Sequence, residues 1–518
     1  MQTKRANFIR FVQFPVDSAV WVSYGSVVFV CLVVMPATLL DYGYSFAKLT
    51  LAGTLLSICI FPSAYYWARR EAGVPTLAII CLAYALQFAL PIYVREPAII
   101  LAGGMVTYVQ EDDVIACLTL SIIGVTALIA GYYACYQRKI INALPTAHLP
   151  IDPKKALTFG LVMGILLPVV VRVGSSVILD VQSVTQFSAI IRVLLNQTIV
   201  SIAVLTGIVY SELVEAKHRL LLLLIVLFAT VQGISSGMLE DAVLPLAVFM
   251  VMRWSVTKKI PIVIITIAIS IILFLSPVKK DYRQAVWFNR TDETIGDSAY
   301  EKTKFWVDSA IDHWADVFNG LQSFSESTEV TASRLDLIHQ FSHIYSLTPS
   351  VVQYQNGATY SYFLVSLIPR FLWPGKPEAG SANYFYAVSY GITDEEGARR
   401  SSFGMSLLAE GFINFGWLGI IIVMALQGMV LCALQLVFGR NESKLGGQAI
   451  FVSFFVYFLN GIGSSAEIIF GNLLQSLIFS TMLVWWARSN SADKFLMPSL
   501  GTPNISNGSN KYASSRLG

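Results

Sequence analysis

Charge is what this sequence has least of. Asp, Glu, Lys and Arg make up 13% of its 518 residues, against roughly 25% in an ordinary soluble domain. A surface so poor in charge is not a water-facing one, and a net charge of only +3 offers no basic face for nucleic acid. Cysteine is scarce too. Cys31, Cys59, Cys81, Cys117, Cys135 and Cys432 all lie in or beside apolar segments, and none falls in the polar stretch from about 278 to 404. That placement excludes a disulfide framework and a thiolate metal site. A leader-type cleavage site is also missing. Lys4, Arg5 and Arg10 precede the first apolar run, but no small-residue site follows a short apolar core, so the run is expected to stay as an anchor. No internal repeat is visible.

What fills the chain is hydrocarbon. Its residues are 55% hydrophobic and the mean hydropathy is +0.64. Runs of about 17 to 25 apolar residues, long enough to span a bilayer, fall near 18–40, 49–67, 76–94, 114–136, 156–173, 190–210, 219–234, 239–253, 261–277, 414–437, 447–462 and 467–487. The seventh and eighth are short and could instead form a broken or re-entrant pair around Gly233-Ile234-Ser235-Ser236-Gly237. The expected fold is an all-α polytopic membrane protein of about 12 transmembrane helices with one long, partly helical outer loop. Residues 1–277 then hold the first nine helices, 278–404 the loop with an interfacial segment, 405–488 the last three helices and 489–518 a disordered tail.

Counting Lys and Arg on alternate sides sets the orientation. The two tails and the even-numbered connections hold about 20, while the short odd-numbered connections hold about 4, namely Lys48, Arg95, Arg172 and Arg192. Both termini are therefore expected in the cytoplasm, with the long loop on the far side.

Within the loop, Tyr300, Phe305, Trp306, Ile311, Trp314, Phe318 and Leu321 recur at helical spacing, with Asp308, Asp312 and Asp316 on another face. A second helix is expected from about Thr331 to Ser346, carrying Asp336, His339 and His343 on one side. Tyr360 to Ile368 is apolar but too short to span, so it is expected to lie at the outer interface. Beyond it, Pro369, Pro374 and Pro377 enforce a stiff, non-helical ledge that presents Arg370 and Lys376.

These residues suggest chemistry at a membrane surface. Arg334, Arg370, Lys376, Arg399 and Arg400 are cations suited to phosphate, although an interfacial Arg also serves simply as a headgroup contact. Arg172 and Arg192 sit at the outer ends of the fifth and sixth spans, where a cation is a functional candidate by default. Trp373 is placed either to stack on a sugar or to anchor the interface. Glu410 is the carboxylate best placed as a general base, with Asn414 one turn on to orient it; a capping or ion-pairing role for Glu410 is the competing reading. Glu240 and Asp241 form an outlying acidic pair. His339 and His343 are alternative acid-base groups or plain structural histidines. A metal would need more ligands than these two and Asp336 supply, so neither metal nor cofactor is expected.

The order Arg334, Thr348-Pro349, Asn356-Gly357-Ala358-Thr359-Tyr360, Ile368-Pro369-Arg370-Phe371-Leu372-Trp373-Pro374-Gly375-Lys376-Pro377, then Ala409-Glu410-Gly411 with Asn414-Phe415-Gly416 and Gly419, resembles the Wzy-type O-antigen and oligosaccharide repeat-unit polymerases of bacteria. The specific part covers about 90 residues of the chain. Arg400 and Gly411 also satisfy the Arg and Gly spacing of some members. The resemblance implies a type C glycosyltransferase in the bacterial inner membrane with a periplasmic loop. Such an enzyme transfers a growing glycan from its polyprenyl pyrophosphate carrier to a sugar hydroxyl of the next lipid-linked unit, in O-antigen or exopolysaccharide synthesis. Its partners would be that lipid-linked oligosaccharide and membrane lipids, with a chain-length regulator and a flippase as candidates. On this resemblance Arg370 and Arg400 bind pyrophosphate, supported by Arg334 and Lys376, and Glu410 is the base with His339 or His343 in reserve. An O-antigen ligase would share the donor chemistry. A lipid-linked oligosaccharide flippase would share the many spans, and a non-catalytic regulator of chain length the loop.

Overall fold

The structure is a computed structural model, and it describes residues 17–40, 45–69, 74–94, 98–101, 105–171, 181–211, 215–287, 298–324, 327, 333, 335–366, 368, 373, 375, 381–400, 403–440 and 444–489. Arg172, Arg334, Arg370, Lys376 and most of the proline-rich ledge lie outside the described residues, as do the tail and the side chain of Arg400.

The chain begins with seven long apolar helices, α1 (Ser18–Leu39), α2 (Phe46–Ala68), α3 (Thr76–Val94), α4 (Glu111–Cys135), α5 (Pro153–Val171), α6 (Val181–Tyr210) and α7 (Ala216–Ser235). A small antiparallel hairpin, β1 (Ala98–Ile100) and β2 (Val106–Tyr108), separates α3 from α4. After α8 (Leu239–Thr257) and α9 (Ile262–Leu275) come the shorter helices α10 (Ala299–Phe318), α11 (Ile338–Leu347), α12 (Ala358–Ser366), α13 (Ser381–Ser389) and α14 (Glu395–Arg400). Three apolar helices, α15 (Leu407–Phe438), α16 (Lys444–Gly463) and α17 (Glu467–Trp486), end the described chain. The protein is thus an all-α polytopic membrane protein.

Among the described residues, 10 helices are long and apolar enough to cross a membrane, or 11 if α9 and its bent continuation form one span, against about twelve expected. The two that fall short do so for different reasons. α8 is a continuous helix, but Glu240, Asp241 and Arg253 load it with charge, and it is buffered by packing against α6, α7 and α16. α9 stops at Leu275 after 14 residues, and the chain bends by 66° into Lys279–Val286. Around Gly233 to Gly237 the chain makes a tight turn between α7 and α8, not a pair of broken half-helices.

The end of α9 is where the long loop attaches. The last carbonyls of any helix lack partners within it, and here Leu275 and Phe274 accept from the indole nitrogens of Trp306 at 3.2 Å and Trp314 at 3.0 Å. Tyr282 stacks on Trp306 with 4.6 Å between ring centroids. The expected apolar face of α10 is consequently divided. Trp306 and Ala310 are buried, whereas Tyr300, Ile311, Phe318 and Leu321 are exposed, an arrangement suited to the membrane interface.

The closest helix pairing joins α4 to α15 through glycines. A Cβ on Gly131 would run into the carbonyl oxygen of Ala425, and one on Gly428 into that of Leu128. Small residues permit such backbone approach in apolar bundles, where packing replaces the hydrophobic effect as the driving force.

Candidate functional site

α15 is two helices joined by a kink. Phe415 has φ −139° and ψ 21°, and Gly416 has φ 62° and ψ −145°, a conformation open to glycine and hostile to side chains. The kink interrupts the helical ladder, so the carbonyls of Ile413 and Asn414 must find partners elsewhere. They find them in the segment before α12, whose backbone N–H groups at Gln355 and Asn356 donate to Ile413 at 2.9 Å and Asn414 at 3.2 Å. That segment can turn there because Asn356 and Gly357 adopt φ 49° and 91°, the left-handed region that Asn and Gly tolerate best.

Side chains complete the joint. Glu410 is 0% exposed. Its Oε1 accepts from Thr359 Oγ1 at 2.8 Å and its Oε2 from the backbone N–H of Ala466 at 2.6 Å. Asn414 donates from Nδ2 to Thr359 Oγ1 at 2.7 Å and to the Glu410 backbone oxygen at 2.8 Å, and its Oδ1 accepts from Gly357 N–H at 2.9 Å. Asn414 thus reaches the Glu410 carboxylate through the Thr359 hydroxyl. Among the described residues the Glu410 partners are Thr359 and Ala466, and Arg399 faces Glu395 instead. Glu467 sits near enough for its charge to act on Glu410.

Of the two candidate histidines on α11, His339 is the one with a carboxylate. The helix expected from about Thr331 to Ser346 is broken at residues 335–337, and α11 begins at Ile338; in the break Asp336 Oδ1 accepts from His339 N–H at 3.2 Å. Its Oδ2 lies 2.7 Å from His339 Nδ1. An imidazole held this way keeps its proton on Nδ1 and presents Nε2 as the acceptor. His343 is engaged differently, with Nε2 2.9 Å from the carbonyl oxygen of Tyr390. The Tyr390 hydroxyl in turn meets Thr348 Oγ1 at 2.7 Å, and burial pushes that phenol up to about 12. Phe341 and Tyr345 of α11 pack on Phe412, two residues past Glu410. The His339 dyad and the Glu410 joint thus belong to one packed unit.

The remaining candidates are dispersed. Arg399 is exposed on α14, with its Nη2 3.9 Å from Glu395. Trp373 is exposed. Arg192 lies on α6, beside a cavity of about 380 Å³ that Asn196, Gln232, Ser236 and Asp241 also line. Glu240, the neighbour of Asp241, hydrogen-bonds Asn460 and feels Lys279 and Arg283. Thr359, Ala466 and Glu467 were not singled out from sequence. Thr359 stood inside the quoted Asn356-to-Tyr360 motif, whereas a backbone N–H such as that of Ala466 leaves no mark in a sequence.

No curated protein and no solved structure matches the chain. A family model described as a domain of unknown function (DUF8712) matches residues 101–492, a stretch that takes in α4 to α17, the Glu410 joint and the His339 dyad, and the chain belongs to that family.

Proposed function

We propose that this protein polymerises oligosaccharide repeat units carried on polyprenyl pyrophosphate, transferring the growing glycan to a sugar hydroxyl of the next lipid-linked unit at the periplasmic face of the bacterial inner membrane. One observation carries the reading. The segments on which the resemblance rests, 356–360 and 409–416, are more than 50 residues apart in sequence yet are bonded to each other through Glu410, Thr359, Asn414 and Gly357. Motifs that share one joint support one site.

The reaction asks for three things. A lipid pyrophosphate leaving group needs fixed cations, and Arg370 and Arg400 are assigned that task with Arg334 and Lys376 beside them. A sugar hydroxyl needs a proton acceptor. Glu410 has both oxygens occupied by donors, so it becomes a positioning residue that fixes α12 to α15. The proton acceptor is then His339, oriented by Asp336 in the manner of a His–carboxylate pair. Finally, a lipid-linked substrate needs an apolar flank, which the exposed Ile311 and Phe318 of α10 supply.

The test is glycan chain length made by purified protein reconstituted with a polyprenyl pyrophosphate-linked repeat unit. Wild type should lengthen the glycan, and Arg370→Ala and His339→Ala should abolish lengthening while remaining folded. If the wild type adds no unit but carries the lipid-linked sugar across the bilayer, the protein is a transporter instead. If it moves glycan only onto a lipid A core, it is a ligase.

A further inference from the structure

α9 is short for the layer it sits in. Its 14 residues cover about 21 Å, against roughly 30 Å of bilayer hydrocarbon. Lys258 and Lys259 precede it and mark its start as one membrane face. Its end at Leu275 then falls about 9 Å inside the other face. α9 is also a peripheral helix, since Ile262, Val263, Ile267, Ile269 and Leu273 are exposed. Helix-terminal carbonyls held at such a depth have no water to satisfy them.

α10 supplies what is missing. The indole N–H groups of Trp306 and Trp314 donate to the carbonyls of Leu275 and Phe274. Trp306 and Ala310 share a cluster with Leu275 and Tyr282, flanked by Ile234 of α7 and by Ile271 and Phe274 of α9, and that cluster is separate from the main core. α10 thus sits at the rim of the bundle, over the end of a lipid-facing helix. A helix with its side chains is about 10 to 12 Å across, which is the depth that α9 leaves unfilled.

The residues of α10 are sorted to match. At about 100° per residue, the buried Trp306 and Ala310 fall on one side. Glu301, Asp308 and Asp312 fall nearly opposite them and are exposed, so the direction away from the bundle is the watery one. A stripe of Tyr300, Ile311 and Phe318, within about 20° of one another, lies roughly a quarter turn from the acidic row and is exposed throughout. Such a stripe faces sideways, at the level of the lipid around α9. A protein partner could cover it only by displacing that lipid. The acidic row offers no attraction to anionic headgroups, so apolar burial alone would hold the helix there.

We propose that α10 is docked in the lipid of the leaflet in which α9 ends, with Tyr300, Ile311 and Phe318 among the acyl chains and Glu301, Asp308 and Asp312 at the headgroup surface. α9 and α10 together then match one bilayer thickness. The outer loop does not begin at 278, as its polarity suggests; its first long helix belongs to the membrane. This inference rests on the membrane fold and not on the polymerase reading.

Spin labelling of the full-length protein in lipid nanodiscs tests it. The six native cysteines are buried, so single cysteines can be labelled at exposed positions. Nitroxides on Ile311→Cys and Phe318→Cys should be several-fold more accessible to oxygen, which partitions into hydrocarbon, than to a water-soluble nickel chelate. A nitroxide on Asp308→Cys should show the reverse. Tyr300→Cys replaces either stripe variant that fails to fold. A preference for the nickel chelate on the stripe, or equal access to both reagents, overturns the proposal by putting α10 in water. Little access to either overturns it by showing a protein surface over the stripe, and a preference for oxygen at Asp308→Cys overturns the assigned orientation. No glycan is read, so failure here leaves the polymerase reading standing, and failure of that reading leaves this one standing.

Discussion

At the scale of single residues, Glu410 does the work of a fastener. Its two oxygens hold groups from α12 and from the turn before α17, so its removal leaves buried donors unpaired at both. Each such group costs about 1–3 kcal/mol. Glu410→Ala should therefore lower the thermal midpoint in detergent far more than any exposed substitution, and Thr359→Val should follow it at a smaller size. Glu410→Gln should fall between, because an amide can accept from one of the two donors but not both. An unchanged midpoint for Glu410→Ala would mean that the joint carries no stability. Asp336→Asn gives a different signature. It keeps a neutral side chain bonded at the start of α11 but weakens the hold on the His339 tautomer, so under the proposed polymerase function it should cut the rate of glycan lengthening strongly while shifting the midpoint little, measured side by side on the same preparation.

At the scale of elements, the decisive feature is the kink in α15. Gly416 sits where ψ and φ suit glycine alone, and forcing a side chain into such a region costs about 1–3 kcal/mol. Gly416→Ala should accordingly destabilise the protein and release the 355–357 segment, seen as faster amide hydrogen exchange there. At the α4 and α15 contact the obstacle is steric and not torsional. Gly428→Leu would press on the Leu128 carbonyl and should leave little folded protein, judged by size-exclusion profile after extraction. The sequence made the long apolar helices plain, since a bilayer imposes length and composition, and it flagged Glu410 and Asn414 through their spacing of one turn. It also marked Asn356-Gly357 as a motif. It could not disclose that the kink frees two carbonyls for that motif, because hydrogen bonds between segments 50 residues apart depend on tertiary packing. The break before α11 escapes a reading by periodicity for a related reason: Asp336 favours bonding backbone N–H groups at a helix start over a helix interior.

At the scale of the whole molecule, the distribution of Lys and Arg predicts an orientation that labelling can check. All six cysteines are buried thiols, so a membrane-impermeant maleimide should react little with the unaltered protein. Ser350→Cys, before α12, should label from the periplasmic side, and Lys259→Cys, after α8, only once the cytoplasmic side is opened. Labelling of both from one side would overturn the assigned topology.

The dispersal of the Glu410 joint along the chain also bears on biogenesis. Three of its contributors, Thr359, Glu410 and Ala466, leave the ribosome in that order, and domains assemble from the amino end during synthesis. Until Ala466 has emerged, the carboxylate rests at the head of an inserting helix with half of its hydrogen bonds missing, in surroundings where a lone buried charge is costly. The joint can close only on a finished bundle. A chain halted before α17 would display an unsatisfied acidic group to the quality-control proteases of the membrane, and so announce its own incompleteness.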